Sequence, residues 1–89
     1  MALVRLRGRL KDIAGEAEVS LDAPTAGELM RVLERDRPAL TGWILDERGR
    51  IRPHINVFVN GEAAQEEAPV AADDRVDVLP AISGGGGPT

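Results

Sequence analysis

The 89-residue chain contains no cysteine. That excludes disulfides, thiolate metal ligands and a cysteine nucleophile together, so no step of its chemistry can use a thiol of its own. Long apolar runs are also missing. The opening Met1-Ala2-Leu3-Val4-Arg5 lacks the apolar segment of a secretory signal, so the expected compartment is the cytoplasm and no membrane partner is expected. There is no surplus of positive charge: eleven basic residues against fifteen acidic ones leave a net charge of −4. That balance opposes binding to a polyanion by counterion release, so nucleic acid is not an expected partner. Arginine outnumbers lysine ten to one, an excess to which the sequence alone attaches no function.

The usual carriers of catalysis are sparse. His54 is the one histidine, at the mouth of a strand-like segment, with no cysteine and no serine in a nucleophile motif to work with. A structural or exposed histidine outweighs a catalytic one there. Glu66-Glu67 and Asp73-Asp74 are adjacent pairs without the spacing of a calcium loop, so they read as solvated turns and no metal site is expected.

What is present is a foldable chain, 43% hydrophobic and 29% charged, far from the composition of a disordered one. Its length allows one core. A domain of this size buries only about two-thirds of its unfolded surface, which directs function to a surface or an end. Residues 2–7 alternate as a strand with Val4 and Leu6 inward and Leu3, Arg5 and Arg7 outward; residues 9–15 read as a connection of about one helical turn, and Glu18–Asp22 as a second strand. Thr25 and Glu28 have capping-box spacing, and Ala26, Leu29, Met30 and Leu33 recur on one helical face until Pro38, with Glu28, Arg31, Glu34 and Arg35 opposite. In the segment 39–53, Trp43 and Leu45 are expected to cover the core edge, while Arg48, Arg50 and Arg52 fall in a solvated loop.

The clearest strand is 54–59, closed by the turn signal Asn60-Gly61, with Ile55, Val57 and Val59 inward and His54, Asn56 and Phe58 outward. Residues 62–74 are polar and alanine-rich, ending in a turn whose carboxylates can accept from local backbone donors; Arg75–Leu79 is the last strand, closed by Pro80. The order strand, strand, helix, strand, strand predicts an α+β fold: a mixed sheet with a helix across one face and the other face open. Leu3, Phe58 and Leu79 fall on that open face, where they would form an apolar docking patch for a partner.

The tail Ser83-Gly84-Gly85-Gly86-Gly87-Pro88-Thr89 has no period and reads as a flexible segment appended to a domain of residues 1–82. It is no phosphate loop, since no lysine and no helix follow the glycines. A terminal glycine carboxylate is slender enough to thread a narrow channel and reach the α-phosphate of ATP, and glycine accepts whatever backbone angles the channel imposes.

On these residues the chain resembles the ubiquitin-like sulfur carriers with the β-grasp fold, the ThiS, MoaD and CysO proteins. The resemblance runs through the Ala-Gly-Glu loop at 14–16, the Thr25 helix, Ile55-Asn56-Val57-Phe58-Val59-Asn60-Gly61-Glu62, and the closing Asp74-Arg75-Val76-Asp77-Val78-Leu79-Pro80-Ala81-Ile82-Ser83-Gly84-Gly85. The Leu-Pro-Ala stretch before Gly-Gly looks most like the cysteine-synthesis carriers. The resemblance implies a non-catalytic carrier that binds no cofactor itself, with Gly85 as the carboxylate that is adenylated and converted to a thiocarboxylate, and Gly84 as its slender neighbour. The implied partners are an adenylyltransferase resembling ubiquitin-activating enzymes, which uses the ATP, a sulfurtransferase or sulfide source, and a sulfur-accepting synthase. Because Gly86, Gly87, Pro88 and Thr89 follow, the resemblance further implies a precursor trimmed by a JAMM-type metalloprotease, with Gly87 as the alternative terminus. A ubiquitin-like protein modifier joined through the same glycine, and a β-grasp interaction module with an inert tail, are the competing readings.

Overall fold

Alternate side chains of β1 (Ala2–Leu6) point to opposite sides of a sheet, and the computed structural model, which describes residues 1–80, buries Ala2, Val4 and Leu6 while Leu3 and Arg5 stay half-exposed. The same alternation buries Val19 and Leu21 in β2 (Glu18–Leu21), Ile55 and Val57 in β3 (Ile55–Val59), and Val76 and Val78 in the strand Arg75–Pro80. Val59 is half-buried against the same core. Asn60 and Gly61 both adopt positive φ, 53° and 87°, and turn β3 back into a two-residue strand, β4 (Glu62–Ala63), which makes Arg75–Pro80 β5. These angles suit the twist of a tight hairpin and explain the Asn-Gly pair. The strand β4 lies in a segment expected to be turn and loop, because two exposed residues, Glu62 and Ala63, carry no readable period.

The sheet order is β2-β1-β5-β3-β4, with β1 and β5 parallel and every other pair antiparallel. The mixed α+β arrangement expected from the sequence is therefore observed. Two helices rather than one accompany the sheet: α1 (Gly8–Ala14) and α2 (Ala26–Asp36), the latter followed by a 3₁₀ turn at Pro38–Leu40. The connection after β1 is thus a seven-residue helix, closed by Gly15 in the left-handed region at φ 78°. It forms because Leu10, Ile13 and Ala14 share one face, with Leu10 fully buried.

Helix α2 lies on the closed face of the sheet, with Ala26, Leu29, Met30 and Leu33 fully buried. Each large apolar side chain so buried is worth about 1.5–3 kcal/mol. Three of its orphan N-terminal donors are satisfied. Thr25 Oγ1 accepts from Glu28 N at 3.2 Å, and the carbonyls of Ala68 and Glu66 accept from Ala26 N and Gly27 N, each at 2.9 Å. The Glu28 carboxylate turns to Arg31 at 3.0 Å. Gly27 suits that contact, since a Cβ there would stand 3.1 Å from the Cβ of Glu66 and 3.2 Å from its carbonyl oxygen and would press that segment away by a few tenths of an ångström.

Glu34, expected on the solvated face, is half-buried, and its Oε2 accepts from the backbone N–H groups of Ile44 and Leu45 at 3.0 and 2.8 Å. This grip turns the core-facing position to Ile44, which is fully buried, and leaves Trp43 41% exposed with the Arg9 guanidinium 5.9 Å from its ring centroid. The expectation that Trp43 covers the core edge is corrected accordingly, while Leu45 is buried as expected. Glu66 does for Ile51 what Glu34 does for Ile44, accepting from its N–H at 2.9 Å.

Replacing Glu34 with Ala should lower unfolding free energy by about 2 kcal/mol, since two backbone donors lose a charged acceptor. Urea denaturation together with faster hydrogen exchange at the amides of Ile44 and Leu45 would register it; a loss below about 0.5 kcal/mol would mean that apolar burial alone holds the loop.

Two further carboxylates serve their own turns. Asp46 accepts from Arg50 N and Arg48 N at 3.0 and 2.9 Å, and Asp74 from Ala71 N and Asn60 Nδ2 at 2.8 and 2.9 Å. These bonds favour the ionised forms and hold both carboxyls below the ordinary value of 3.8, the bond from Arg50 N contributing most at Asp46 and that from Ala71 N at Asp74. Both folded values are depressed, so the stability they supply is present above pH 3.8 and is lost as pH falls through the folded values. Melting temperature followed from pH 5 down to pH 2 should therefore fall less steeply in the double variant Asp46→Asn, Asp74→Asn than in the parent chain.

Candidate functional site

Strand β5 carries the chain toward its C-terminus between β1 and β3. At its end Arg7 N donates to Val78 O at 3.1 Å, and Pro80 stands opposite Ile55. Proline has no N–H, so Pro80 donates nothing to the ladder. Gly8, at φ 58°, lies against this point, and a Cβ on it would be 3.5 Å from Pro80 Cγ. The root of the tail is thus held between the start of α1 and the start of β3. Gly84, Gly85, Gly86, Gly87, Pro88 and Thr89, and the domain boundary expected after residue 82, lie outside the described residues.

The open face of the sheet ends beside that root. Leu3, Phe58 and Leu79 all point to it and all are half-buried. The register sets how they are spaced. Leu3 is opposite Ser20 and Arg75, Phe58 is opposite Asp77, and Leu79 is opposite Asn56. Phe58 and Leu79 are diagonal neighbours across the β3–β5 pair, whereas Leu3 is separated from both by a charged cluster, so the expected single apolar patch is divided in two.

That cluster is centred on Asp77. Its Oδ1 is 3.8 Å from Arg5 Nε and 3.8 Å from Arg7 Nη2, and its Oδ2 is 3.8 Å from Arg75 Nε. Arg5 also approaches Glu18 at 4.0 Å. All are ion pairs beyond hydrogen-bond length, and Asp77 Oδ1 is buried with no hydrogen-bond partner among the described residues. The sequence assigned no role to this cluster. The outward set Leu3, Arg5 and Arg7 was legible from the alternation of β1, and Arg75 and Asp77 share one face of β5, but Arg5 and Arg7 reach Asp77 only once β1 and β5 pair in parallel.

Elsewhere the surface offers little for catalysis. His54 is exposed. A shallow hollow of about 440 Å³ beside β4 presents Asn60 and Glu62 among Val59, Ala63, Ala64, Ala68 and Pro69, which brings together no acid–base pair. Among the described residues no group of three or more His, Asp or Glu side chains could hold a metal ion, and no helix is long and apolar enough to cross a membrane.

Comparison with known proteins gives this geometry a family. The ThiS family model matches residues 4–85. The small archaeal modifier protein 1 of Haloferax volcanii is 34% identical over 84 residues, covering 91% of this chain and 97% of that relative. A crystal structure of the same Haloferax protein superimposes with a TM-score of 0.85 at 31% identity, covering 91% of this chain and 94% of that one. The BexX/CysO complex of Amycolatopsis orientalis contains a chain that matches with a TM-score of 0.81 at 25% identity, covering 92% of this chain and 97% of that one. With the matched region reaching from the first strand to Gly85, and with the β-grasp arrangement of sheet and helix in place, the chain belongs to the ThiS family of small ubiquitin-like proteins.

Proposed function

We propose that the chain is a sulfur carrier, itself non-catalytic, whose mature C-terminus is Gly85. The observation that carries this reading is the family match that ends at Gly85, four residues before the last residue of the sequence. An adenylyltransferase partner supplies ATP: the Gly85 carboxylate oxygen attacks the α-phosphate, pyrophosphate leaves, and an acyl adenylate forms. Hydrosulfide then attacks the acyl carbon, AMP leaves, and the thiocarboxylate remains on the tail; where a sulfurtransferase persulfide attacks instead, AMP leaves and a thiol cleaves the resulting acyl disulfide, releasing the thiocarboxylate and a disulfide. A sulfur-accepting synthase consumes it; the Amycolatopsis complex, in which BexX is bound to CysO, supports such a partner. The chain's part is steric and positional. Strand β5 carries the backbone to the sheet edge at Pro80, and Gly84 and Gly85 have no side chains to obstruct a channel.

The residues after Gly85 do not suit that chemistry, because they include Pro88 and the β-branched Thr89. A JAMM-type metalloprotease that removes Gly86–Thr89 resolves the conflict, and Gly87 is the alternative register. The reading assigns the protein to the cytoplasm, where ATP is at hand. A second reading is favoured by the 34% identical relative, whose name is that of a modifier protein. In it the same acyl adenylate is taken by a lysine amine of a target protein, giving an isopeptide in place of a thiocarboxylate.

Intact mass of the untagged protein isolated from its native host tests the reading. A chain ending at Gly85, with a fraction heavier by one oxygen-to-sulfur exchange, is expected; protein that still ends at Thr89 under sulfur-demanding growth would overturn it, and adducts on lysines of other proteins without thiocarboxylate would transfer it to the modifier reading. In ATP–pyrophosphate exchange with the activating enzyme, the form ending at Gly85 should be active and the full-length form inactive.

A further inference from the structure

The open sheet face presents positive charge on a chain whose net charge is −4. Arg5, Arg7 and Arg75 are 35%, 52% and 51% exposed, whereas Asp77 beneath them is only 16% exposed. Solvent therefore meets three guanidiniums and not the carboxylate that gathers them; the one exposed carboxylate beside them is that of Glu18, 57% exposed and 4.0 Å from Arg5 Nε, so the row keeps a net positive charge. No guanidinium of the three donates a hydrogen bond to any described residue, which leaves those side-chain donors unspent, in contrast to the guanidiniums of Arg31, Arg37 and Arg52, which donate to carboxylates or carbonyls. The row is directional. Arg75 stands opposite Leu3 at the far end of β5, Arg5 is level with Asp77, and Arg7 lies one step on, where its N–H bonds Val78 beside the root of the tail.

We propose that Arg5, Arg7 and Arg75 form a docking stripe for a carboxylate-rich rim on the adenylyltransferase that takes the tail. The inference rests on the carrier reading and names the chemistry of its first partner. Three features select that occupant. Guanidiniums match carboxylates in paired, forked hydrogen bonds, and these have free donors to offer. The stripe runs to the point from which the tail departs, so a partner that admits the tail necessarily covers Arg7. The half-buried Leu3, Phe58 and Leu79 flank the arginines and give the interface apolar anchors of the kind protein partners use. A nucleic acid would meet the same arginines but also the repulsion of the whole acidic chain. In the complex Asp77 remains beneath the arginines, so its charge is not buried without partners.

Such a stripe acts mainly on encounter, which makes its signature a salt-sensitive affinity. The test uses the chain in the form its host makes it and the adenylyltransferase of the same genome, measuring ATP–pyrophosphate exchange for KM and kcat and interferometry for binding. For the parent chain, KM should rise about tenfold or more between about 50 and 300 mM salt. The triple variant Arg5→Gln, Arg7→Gln, Arg75→Gln should show KM raised about tenfold at low salt, kcat within about twofold and little salt dependence, and Arg5→Lys, Arg7→Lys, Arg75→Lys should recover most of the affinity. Far-ultraviolet circular dichroism and thermal melts check that each variant folds. If the glutamine variant does not fold, hexaglutamate added to the parent chain takes its place: it should compete with the enzyme, and failure to compete overturns the proposal. A KM within twofold of the parent in a folded glutamine variant also overturns it while leaving the carrier reading intact, as does binding of a single-stranded oligonucleotide that the variant loses with KM unchanged. Absence of exchange with the parent chain overturns the carrier reading instead, and salt-sensitive binding lost in the variant would then still support the stripe, whereas absence of binding would remove both.

Discussion

Strand β5 lies between β1 and β3, so two halves of the chain that never meet through a tight turn are joined by it. Without β5 the sheet would fall into two hairpin-like pairs, β1 with β2 and β3 with β4, neither large enough to be stable alone. The parallel pairing of β1 with β5 requires the rest of the chain to run between them, and that excursion carries α2 across one face. Val76 and Val78 are accordingly completely buried, and they face the helix side together with Val4 and Leu6 of β1. The same placement brings the last described residue, Pro80, to the end of an inner strand and not to a frayed edge. On the proposed function that root must be held firmly, because error in its direction grows along the tail.

The acidic and basic residues divide their work unevenly. Glu34, Glu66, Asp46 and Asp74 each accept backbone N–H bonds and hold the loops that cover the core edge. Those carboxylates are engaged in structure. The guanidiniums of Arg5, Arg7 and Arg75 are drawn to Asp77 only at 3.8 Å and donate no hydrogen bond within the described residues. A chain that is acidic overall therefore shows a basic sheet face, and net charge is a poor guide to which partner that face meets.

Carrier and modifier differ less in this protein than in what meets it. Both begin with adenylation of one terminal carboxylate, and both need a slender tail on a rigid root. The branch is decided by the nucleophile that the partner admits, sulfur in one case and a lysine amine in the other.

Local chemistry was readable in the sequence wherever a feature depends on neighbours within a few residues. The alternation of β1, β3 and β5, the Thr25 cap, the Asn60-Gly61 turn and the Asp74 turn all follow from side-chain period, backbone angle or a short-range hydrogen bond. Two local elements escaped because they are too short to show a period: the two-turn α1 and the two-residue β4. What the tertiary structure alone decided involves residues far apart in the chain. Glu34 turned Ile44 inward in place of Trp43, Glu66 crowds position 27, and the register of β1 on β5 brought Arg5 and Arg7 to the Asp77 beside Arg75, splitting the apolar set Leu3, Phe58 and Leu79. Period shows which face a side chain takes, but its neighbours on that face depend on strand order and register, and those are set only when the whole core closes.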